Sequence, residues 1–293
     1  MTASPENGVK IACLQITAER EFEPNIKKLC RMIRTAGEEG AKFVLTPENA
    51  TMIEPVAAAA LRKAKTEDEH PALPVLTDAA RSAGVWLLIG SLSIRLEGDH
   101  PGAGKLANRS YLIDDQGTIV ARYDKLNCFD VMLRDDEWYR ESDTIEAGKE
   151  AVLAPSPWGN IGMTVCYDLR FPGLYRTLAQ AGADILTVPS AFTRTTGKAH
   201  WHTLLQARAI ETGCFVIAPA QWGEHAEGRK TYGHSLIVDP WGKIVADGEE
   251  GENLVFGTLD LDLVAQSRQR IPSLSTDQTY TPNDLTATRI AAE

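Results

Sequence analysis

Short apolar runs of strand length alternate along this chain with stretches in which apolar residues recur every three or four positions. The first run, IACLQI at 11–16, is followed by Ile26, Leu29, Ile33 and Ala36 on one helical face, with Gly40 as a stop. A strand over 43–46 ends at Pro47, which has no amide hydrogen with which to continue a ladder. Apolar periodicity predicts helices over 56–65 and 73–83, and Gly84 then introduces a strand over 85–89. A charged, proline-bounded connection at 66–71 and a loop at 97–104 lie between elements. YLIDDQGTIVARYDK, residues 111–125, reads as two strands joined by a polar turn.

The second half repeats the rhythm: a strand over 161–165, a helix over 172–181, a strand over 185–188, a helix over 200–212 and a strand over 215–218. SLIVDPWGKIVADG at 235–248 aligns with YLIDDQGTIVARYD, and ADILTVPS at 183–190 echoes AKFVLTPE at 41–48. Self-similarity at so long a spacing predicts two related α/β halves rather than a solenoid. Strands alternating with helices and ending in hairpins predict mixed sheets covered by helices. No linker splits the chain, so one domain is expected over 1–276, with a tail of little periodicity over 277–293.

A hydrophobic fraction of 43% over 293 residues is enough to bury one large core. The net charge of −10 has both signs scattered and no basic stripe, which argues against a nucleic-acid partner. The first apolar run is too short for a bilayer span or a secretory h-region, so no membrane partner is expected and the cytoplasm is the expected compartment. The five cysteines, Cys13, Cys30, Cys128, Cys166 and Cys214, are odd in number, widely spaced and without a CxxC pair. Neither a disulfide framework nor a zinc site is expected from that pattern.

Three residues at strand ends can carry chemistry. Cys166 closes the apolar strand IGMTV and precedes a helix start, a turn that exposes a thiol and aims backbone N–H groups at one point. Taken alone it reads more readily as a small buried hydrophobe, as most cysteines are. Glu48 follows Phe-Val-Leu-Thr-Pro where a strand leaves its sheet, and is either a solvated loop acid or a base held in a pocket. Lys125 ends the ARYDK strand, and a lone lysine there is ordinarily a surface residue. Their convergence at sheet edges carries more weight than any one of them, because ligands collect there.

The order Glu48, Lys125, Cys166, in the contexts LTPEN, YDKLN and CYDLRFP, resembles the nitrilase, or carbon–nitrogen hydrolase, superfamily over nearly the whole chain. The resemblance implies a four-layer α-β-β-α sandwich with two pseudo-symmetric halves, and a Glu-Lys-Cys triad that works without metal or organic cofactor. It implies that Glu48 is the base, Cys166 the nucleophile, and Lys125 with the backbone N–H of Tyr167 the holder of the oxyanion. Glu141, in YRESDTIEAG, matches a second glutamate that lies near the triad in many members.

KLNCFDV, RES, CYDLRFP, PSAF, AHW and TYGHSLIVDPWG carry a finer resemblance, to the branch of ω-amidases and deaminated glutathione amidases. That branch implies hydrolysis of a small amide C–N bond with release of ammonia, in metabolite repair. The ω-amides and N-carbamoyl amines are the neighbouring substrate classes. Gly173, His202 and the insert MLRDDEWYR depart from the branch, and the insert would border the pocket. Arg170, Arg194 and Thr196 are candidates for holding a substrate carboxylate, with an ion pair to Asp168 as the structural alternative for Arg170. His200, Trp201 and His202 lack the spacing of a helical metal pair and read as packing residues. A silent binding scaffold, and a redox protein pairing Cys166 with Cys128, are the readings outside amide hydrolysis. A homodimer or larger homo-oligomer is expected through the helical stretches 171–181 and 200–212, whose apolar faces are extensive for a monomer.

Overall fold

Alternate residues of β1 (Val9–Gln15) face two different cores, which is how an unbroken apolar run is satisfied in a buried strand. Ala12 and Leu14 pack with Leu29, Ile33 and Ala36 of α1 (Phe22–Glu38) and with Leu73, Leu76 and Ala80 of α3 (Ala72–Ala83). Ile11 and Cys13 join the core that holds the second sheet. The computed structural model describes residues 8–134, 137–276 and 278–281, and the tail expected over 277–293 lies outside them except for 278–281.

The first half supplies β1, β2 (Phe43–Leu45), β3 (Trp86–Arg95), β4 (Leu106–Ile113) and β5 (Ile119–Asp124), with α2 (Ala57–Lys63) between β2 and α3. A small hairpin, β6 (Asp130–Arg134) and β7 (Glu137–Arg140), follows. Next come β8 (Val152–Ser156), β9 (Gly159–Met163), α4 (Pro172–Gln180), β10 (Ile185–Thr187), α5 (Arg194–Thr212) and β11 (Phe215–Ala218). The chain continues through β12 (Trp222–Glu224), β13 (Lys230–Tyr232), β14 (Leu236–Val238), β15 (Ile244–Asp247), β16 (Asn253–Leu259) and α6 (Asp262–Arg270).

Two six-stranded sheets have the orders β16-β1-β2-β3-β4-β5 and β15-β14-β11-β10-β9-β8. In the first, β1, β2 and β3 are parallel and the other pairings antiparallel; in the second, β9, β10 and β11 are parallel and the rest antiparallel. The β4–β5 hairpin thus corresponds to β14–β15, and β2 to β10, the pairs that the internal self-similarity predicts. With α1 and α3 on one side and α4 and α5 on the other, the fold is an α-β-β-α sandwich. Gly90 permits the close approach at its centre, since a Cβ there would lie 2.1 Å from the Thr46 carbonyl and 2.5 Å from Pro189.

Helix α5 begins at Arg194, well before the predicted start at 200, because tertiary contacts stabilise a polar first turn that periodicity alone does not mark. Thr193 caps it by accepting from the Thr196 amide at 3.3 Å, and Gly197 leaves room for Tyr232, which a Cβ would meet at 2.4 Å. The Arg170–Asp168 ion pair, the structural alternative for Arg170, does not form: Asp168 is taken by Tyr123, Asn127 and the Val165 amide. His202, read as a packing residue, is joined to His234 through Asp247, whose two oxygens each meet one imidazole nitrogen at 2.9 Å. Burial would raise the Asp247 carboxyl, but the bonds from His202, His234 and the Glu249 amide hold it at about 2. No helix among the described residues is long and apolar enough to cross a membrane.

Candidate active site

Strand β2 lies in the middle of the first sheet's parallel trio and β9 at one side of the second's, and each is followed at its C-terminal end by a polar residue of the site. After β9 the backbone turns sharply, and Cys166 adopts φ +49°, a conformation side chains other than glycine rarely take. The strain is held by Asp168, which accepts from the Val165 amide at 2.9 Å and from the Tyr123 hydroxyl at 2.6 Å. Asp168 also accepts from the Asn127 amide and side chain at 3.0 and 2.8 Å. One buried carboxylate therefore ties the Cys166 turn to the segment that carries Lys125.

Glu48 leaves β2 behind Pro47 and is 3% exposed; Lys125 follows β5 and is 2% exposed. Glu48 Oε1 accepts from Lys125 Nζ at 3.0 Å and from Asn108 Nδ2 at 2.9 Å, and Oε2 accepts from the Ala191 amide at 2.8 Å. Lys125 Nζ also donates to both oxygens of Glu141, at 3.0 and 2.8 Å. Glu141 is fixed in turn by the Phe129 amide at 2.6 Å and by Asn108. A buried ammonium is thus shared between two carboxylates, each of which has further donors.

The protonation states follow. Burial works against a charged Lys125, yet Glu141 and Glu48 overcome it and raise its pKa well above the usual value. Burial works against a charged Glu48, yet Lys125 and the hydrogen bond from Cys166 lower it. Burial and the Glu48 charge both push the Cys166 thiol well up, with Lys125 opposing. At neutral pH the site holds an ammonium, a carboxylate and a protonated thiol within one hydrogen-bonded cluster. The arrangement suits a nucleophile deprotonated by its neighbour as it attacks, rather than one stored as a thiolate.

These groups open onto a cavity of about 400 Å³ whose wall includes Phe129, Trp138, Tyr139, Tyr167 and Phe192. The insert MLRDDEWYR supplies the β6–β7 hairpin, and Trp138, Tyr139 and Arg140 from it line the cavity, as its position in the sequence suggests. Phe129 links the hairpin to the nucleophile turn, its ring 5.1 Å from both Tyr139 and Tyr167.

Of the residues expected to touch substrate, Tyr167 and Thr196 line the cavity. Arg170 and Arg194 are not brought to its wall. The Arg170 guanidinium lies over the rings of Phe192 and Tyr167, at 5.3 and 5.9 Å, and meets His200 Nδ1 at 3.4 Å. Arg194 is exposed and lies over Trp222 at 5.3 Å. Sequence reasoning missed Asn108 and Arg229. Asn108 carried a faint signal, a polar residue at an inward position of the apolar strand LANRSYLI. Arg229 sits in a loop where an arginine is unremarked.

The cluster brings a thiol, a carboxylate and an ammonium together at one cavity, the groups that a cysteine hydrolase requires. A family model described as carbon-nitrogen hydrolase matches residues 10–269. The chain is 41% identical over 269 residues to a deaminated glutathione amidase of Synechocystis, covering 90% of this chain and 96% of that one. It is 40% identical to the human deaminated glutathione amidase, covering 89% of this chain and 80% of that protein. Among solved structures, the C. elegans NitFhit protein superposes with a TM-score of 0.87 at 36% identity, over 94% of this chain and 66% of that longer one. The chain belongs to the carbon–nitrogen hydrolase family, within the nitrilase superfamily and its ω-amidase branch. It is an amidase-type enzyme, a hydrolase of carbon–nitrogen bonds.

Proposed function

We propose that this chain hydrolyses the amide of a small carboxylated acyl substrate of the deaminated-glutathione type. The observation that carries the reading is the buried Lys125, hydrogen-bonded to Glu48 and Glu141 beside the Cys166 thiol. The similarity to deaminated glutathione amidases along the whole domain supports the substrate class.

In this reading Glu48 takes the thiol proton as Cys166 Sγ bonds to the amide carbon. The oxyanion meets Lys125 Nζ and the Tyr167 N–H. The C–N bond then breaks and Glu48 returns its proton to the leaving nitrogen, which departs as ammonia or an amine. Glu48 next deprotonates a water that attacks the thioester, the C–S bond breaks, and sulfur recovers the proton. The sum is amide plus water giving acid plus ammonia or amine, with every group restored. Glu141 keeps Lys125 charged through the cycle, and Thr196 is a wall group able to meet the acyl part.

The test is a product screen with deaminated glutathione, α-ketoglutaramate, N-carbamoyl amines and neutral amides. We expect the first two to be turned over fastest, with acid and freed ammonia or amine in equal amounts. Carbon dioxide appearing with ammonia from the carbamoyl compounds, at higher specificity constants, would instead assign a carbamoyl-amine hydrolase.

The assembly belongs to the same reading: a homo-oligomer working in the cytoplasm. Exposed Ile210 of α5, Trp241 of the β14–β15 turn and Ile271 after α6 line one shallow depression, an apolar surface suited to a second copy. We expect a dimer or larger by light scattering at micromolar concentration, and Trp241→Asp to shift it toward monomer. A monomeric parent would refute this.

A further inference from the structure

Outside the active-site cavity, two imidazoles and a carboxylate from three separate elements meet at one point. His202 lies in the middle of α5, His234 just before β14, and Asp247 at the end of β15. Leu236 pairs with Asp247, so His234 and Asp247 stand together at the end of the β14–β15 hairpin away from its turn. His200 and His202 are two positions apart on a helix and so face different sides. His200 meets the Arg170 guanidinium, whereas His202 turns to the hairpin. Spacing along α5 therefore hides the pairing, because the second imidazole comes from a distant loop.

The donor atoms form a small triangle. Asp247 Oδ2 lies 2.9 Å from His202 Nε2, and Asp247 Oδ1 lies 2.9 Å from His234 Nδ1. One nitrogen or oxygen from each of the three residues lies within 4.8 Å of the others. A tetrahedral ion with bonds of about 2.0–2.2 Å needs edges of about 3.3–3.6 Å, which falls inside those limits. The two rings meet at 72° with centroids 5.1 Å apart, so they converge on the carboxylate rather than stack on each other.

The frame around the triangle is fixed. His234 holds φ +53°, its amide donates to the Glu249 carbonyl at 3.0 Å, and its carbonyl accepts from the Trp201 indole at 2.8 Å. Tyr232 stacks on its ring at 4.4 Å. The His202, Asp247 and His234 side chains are 30%, 26% and 19% exposed, which leaves a way in for an ion and a place for its water. Among the described residues no other trio of histidine, cysteine or acidic side chains comes together in this way. Two imidazole nitrogens with one carboxylate suit borderline ions such as Zn²⁺; Mg²⁺ and Ca²⁺ take oxygen ligands.

We propose that His202, His234 and Asp247 bind one zinc-class divalent cation, in a structural site separate from the active site, which pins α5 to the β14–β15 hairpin. The ion takes the place of the hydrogens that now point at Asp247, and each neutral ring carries its one hydrogen on the other nitrogen. None of the three ligands lines the catalytic cavity, and the site is independent of what that cavity hydrolyses.

The experiment uses the full chain without a histidine tag, stripped with a chelator and then equilibrated with Zn²⁺. Every sample carries Cys166→Ala, so that the nucleophile cannot hold the ion; His202→Gln and Asp247→Asn are added singly. Without either addition we expect one Zn²⁺ per chain. Each addition should weaken binding roughly 100-fold or more, since loss of even an outer partner of a ligand costs 10–100-fold. Zn²⁺ in about 100-fold excess over its dissociation constant should raise Tm by roughly 5 °C, with no rise in Mg²⁺ or Ca²⁺. If the added substitutions prevent folding, the Co²⁺-loaded Cys166→Ala chain carries the test. Its visible spectrum should be that of a four-coordinate nitrogen and oxygen site, without a sulfur-to-metal band.

Failure to retain Zn²⁺ overturns the proposal, as does equal retention by the His202→Gln and Asp247→Asn chains. A gain in Tm that Mg²⁺ matches would also overturn it, because neutralisation of an acidic surface would then suffice. A cobalt spectrum with a sulfur band would place the ion on another cysteine and refute the assignment.

Discussion

Cys166→Ala is expected to lower turnover by roughly five to six powers of ten, the loss seen when a nucleophile that acts as a unit with its base is removed. Cys166 is the cavity's cysteine; Cys13 and Cys214 lie buried in the strand core, and Cys128 flanks the site without lining the cavity. The base and the oxyanion cation would remain, but with no sulfur there is no acyl-enzyme to form. The fold should survive. Alanine removes one heavy atom from a residue already 7% exposed, and it meets the same left-handed backbone that cysteine does. Intact-protein mass spectrometry with a slow amide substrate should show an acyl adduct on the parent and none on the variant. A folded alanine variant with substantial turnover would sink the thiol mechanism.

Lys125→Met should damage both chemistry and stability. Turnover is expected to fall about 10²–10³-fold with KM changing far less, because the ammonium matters most when the oxyanion forms. Stability is expected to fall by about 3–5 kcal/mol at neutral pH, since Glu48 and Glu141 would face each other without the cation they share.

The pH dependence has a definite sign. Glu48 titrates below its ordinary value of 4.5 in the folded parent, so its contribution is present above that value and is lost as pH falls through the lowered one. Lys125 titrates above its ordinary 10.5, so its contribution is present below that value and is lost as pH rises through the raised one. In the variant the cation is gone, and protonating a carboxylate relieves the repulsion. The deficit against the parent, read by urea unfolding, should therefore shrink between pH 7.5 and 4.5. A deficit independent of pH would mean that lost packing, rather than uncompensated charge, is responsible. A loss confined to KM would make Lys125 a substrate clamp.

The Arg170 and Arg229 outcomes show where sequence reasoning reached its limit. A forked side chain one helical turn beyond the nucleophile, in CYDLRFP, is a natural candidate for an anion. The structure carries it over Tyr167 and Phe192 toward His200, while an arginine from a distant loop comes to the cavity. Loop residues have no period to betray their direction, so neither placement could be read along the chain. Asn108 is the intermediate case. Its polar side chain in an apolar strand marks it as unusual, but its joining of Glu48 to Glu141 appears only when β4 is paired with β3, one strand away from β2.

By itself the sequence determined what depends on local pattern. Apolar runs and helical periods are set by the solvent-averaged burial of each side chain, so most strands of the two sheets, most helices, the paired hairpins and the two related α/β halves were readable, while the four-layer sandwich followed from the family resemblance. The strand-end positions of Glu48, Lys125 and Cys166 were readable in the same way, whereas their roles were what the family resemblance implies. Only the tertiary structure decided the early start of α5, which needs Tyr232 packed on Gly197, and the His202–Asp247–His234 link. It alone decided the protonation states as well. A buried lysine stays charged because of carboxylates remote in the chain and about 3 Å away in space, and a thiol stays protonated through burial first and the Glu48 charge second. Coulomb and hydrogen-bond energies depend on that separation in space, which the order of residues does not contain.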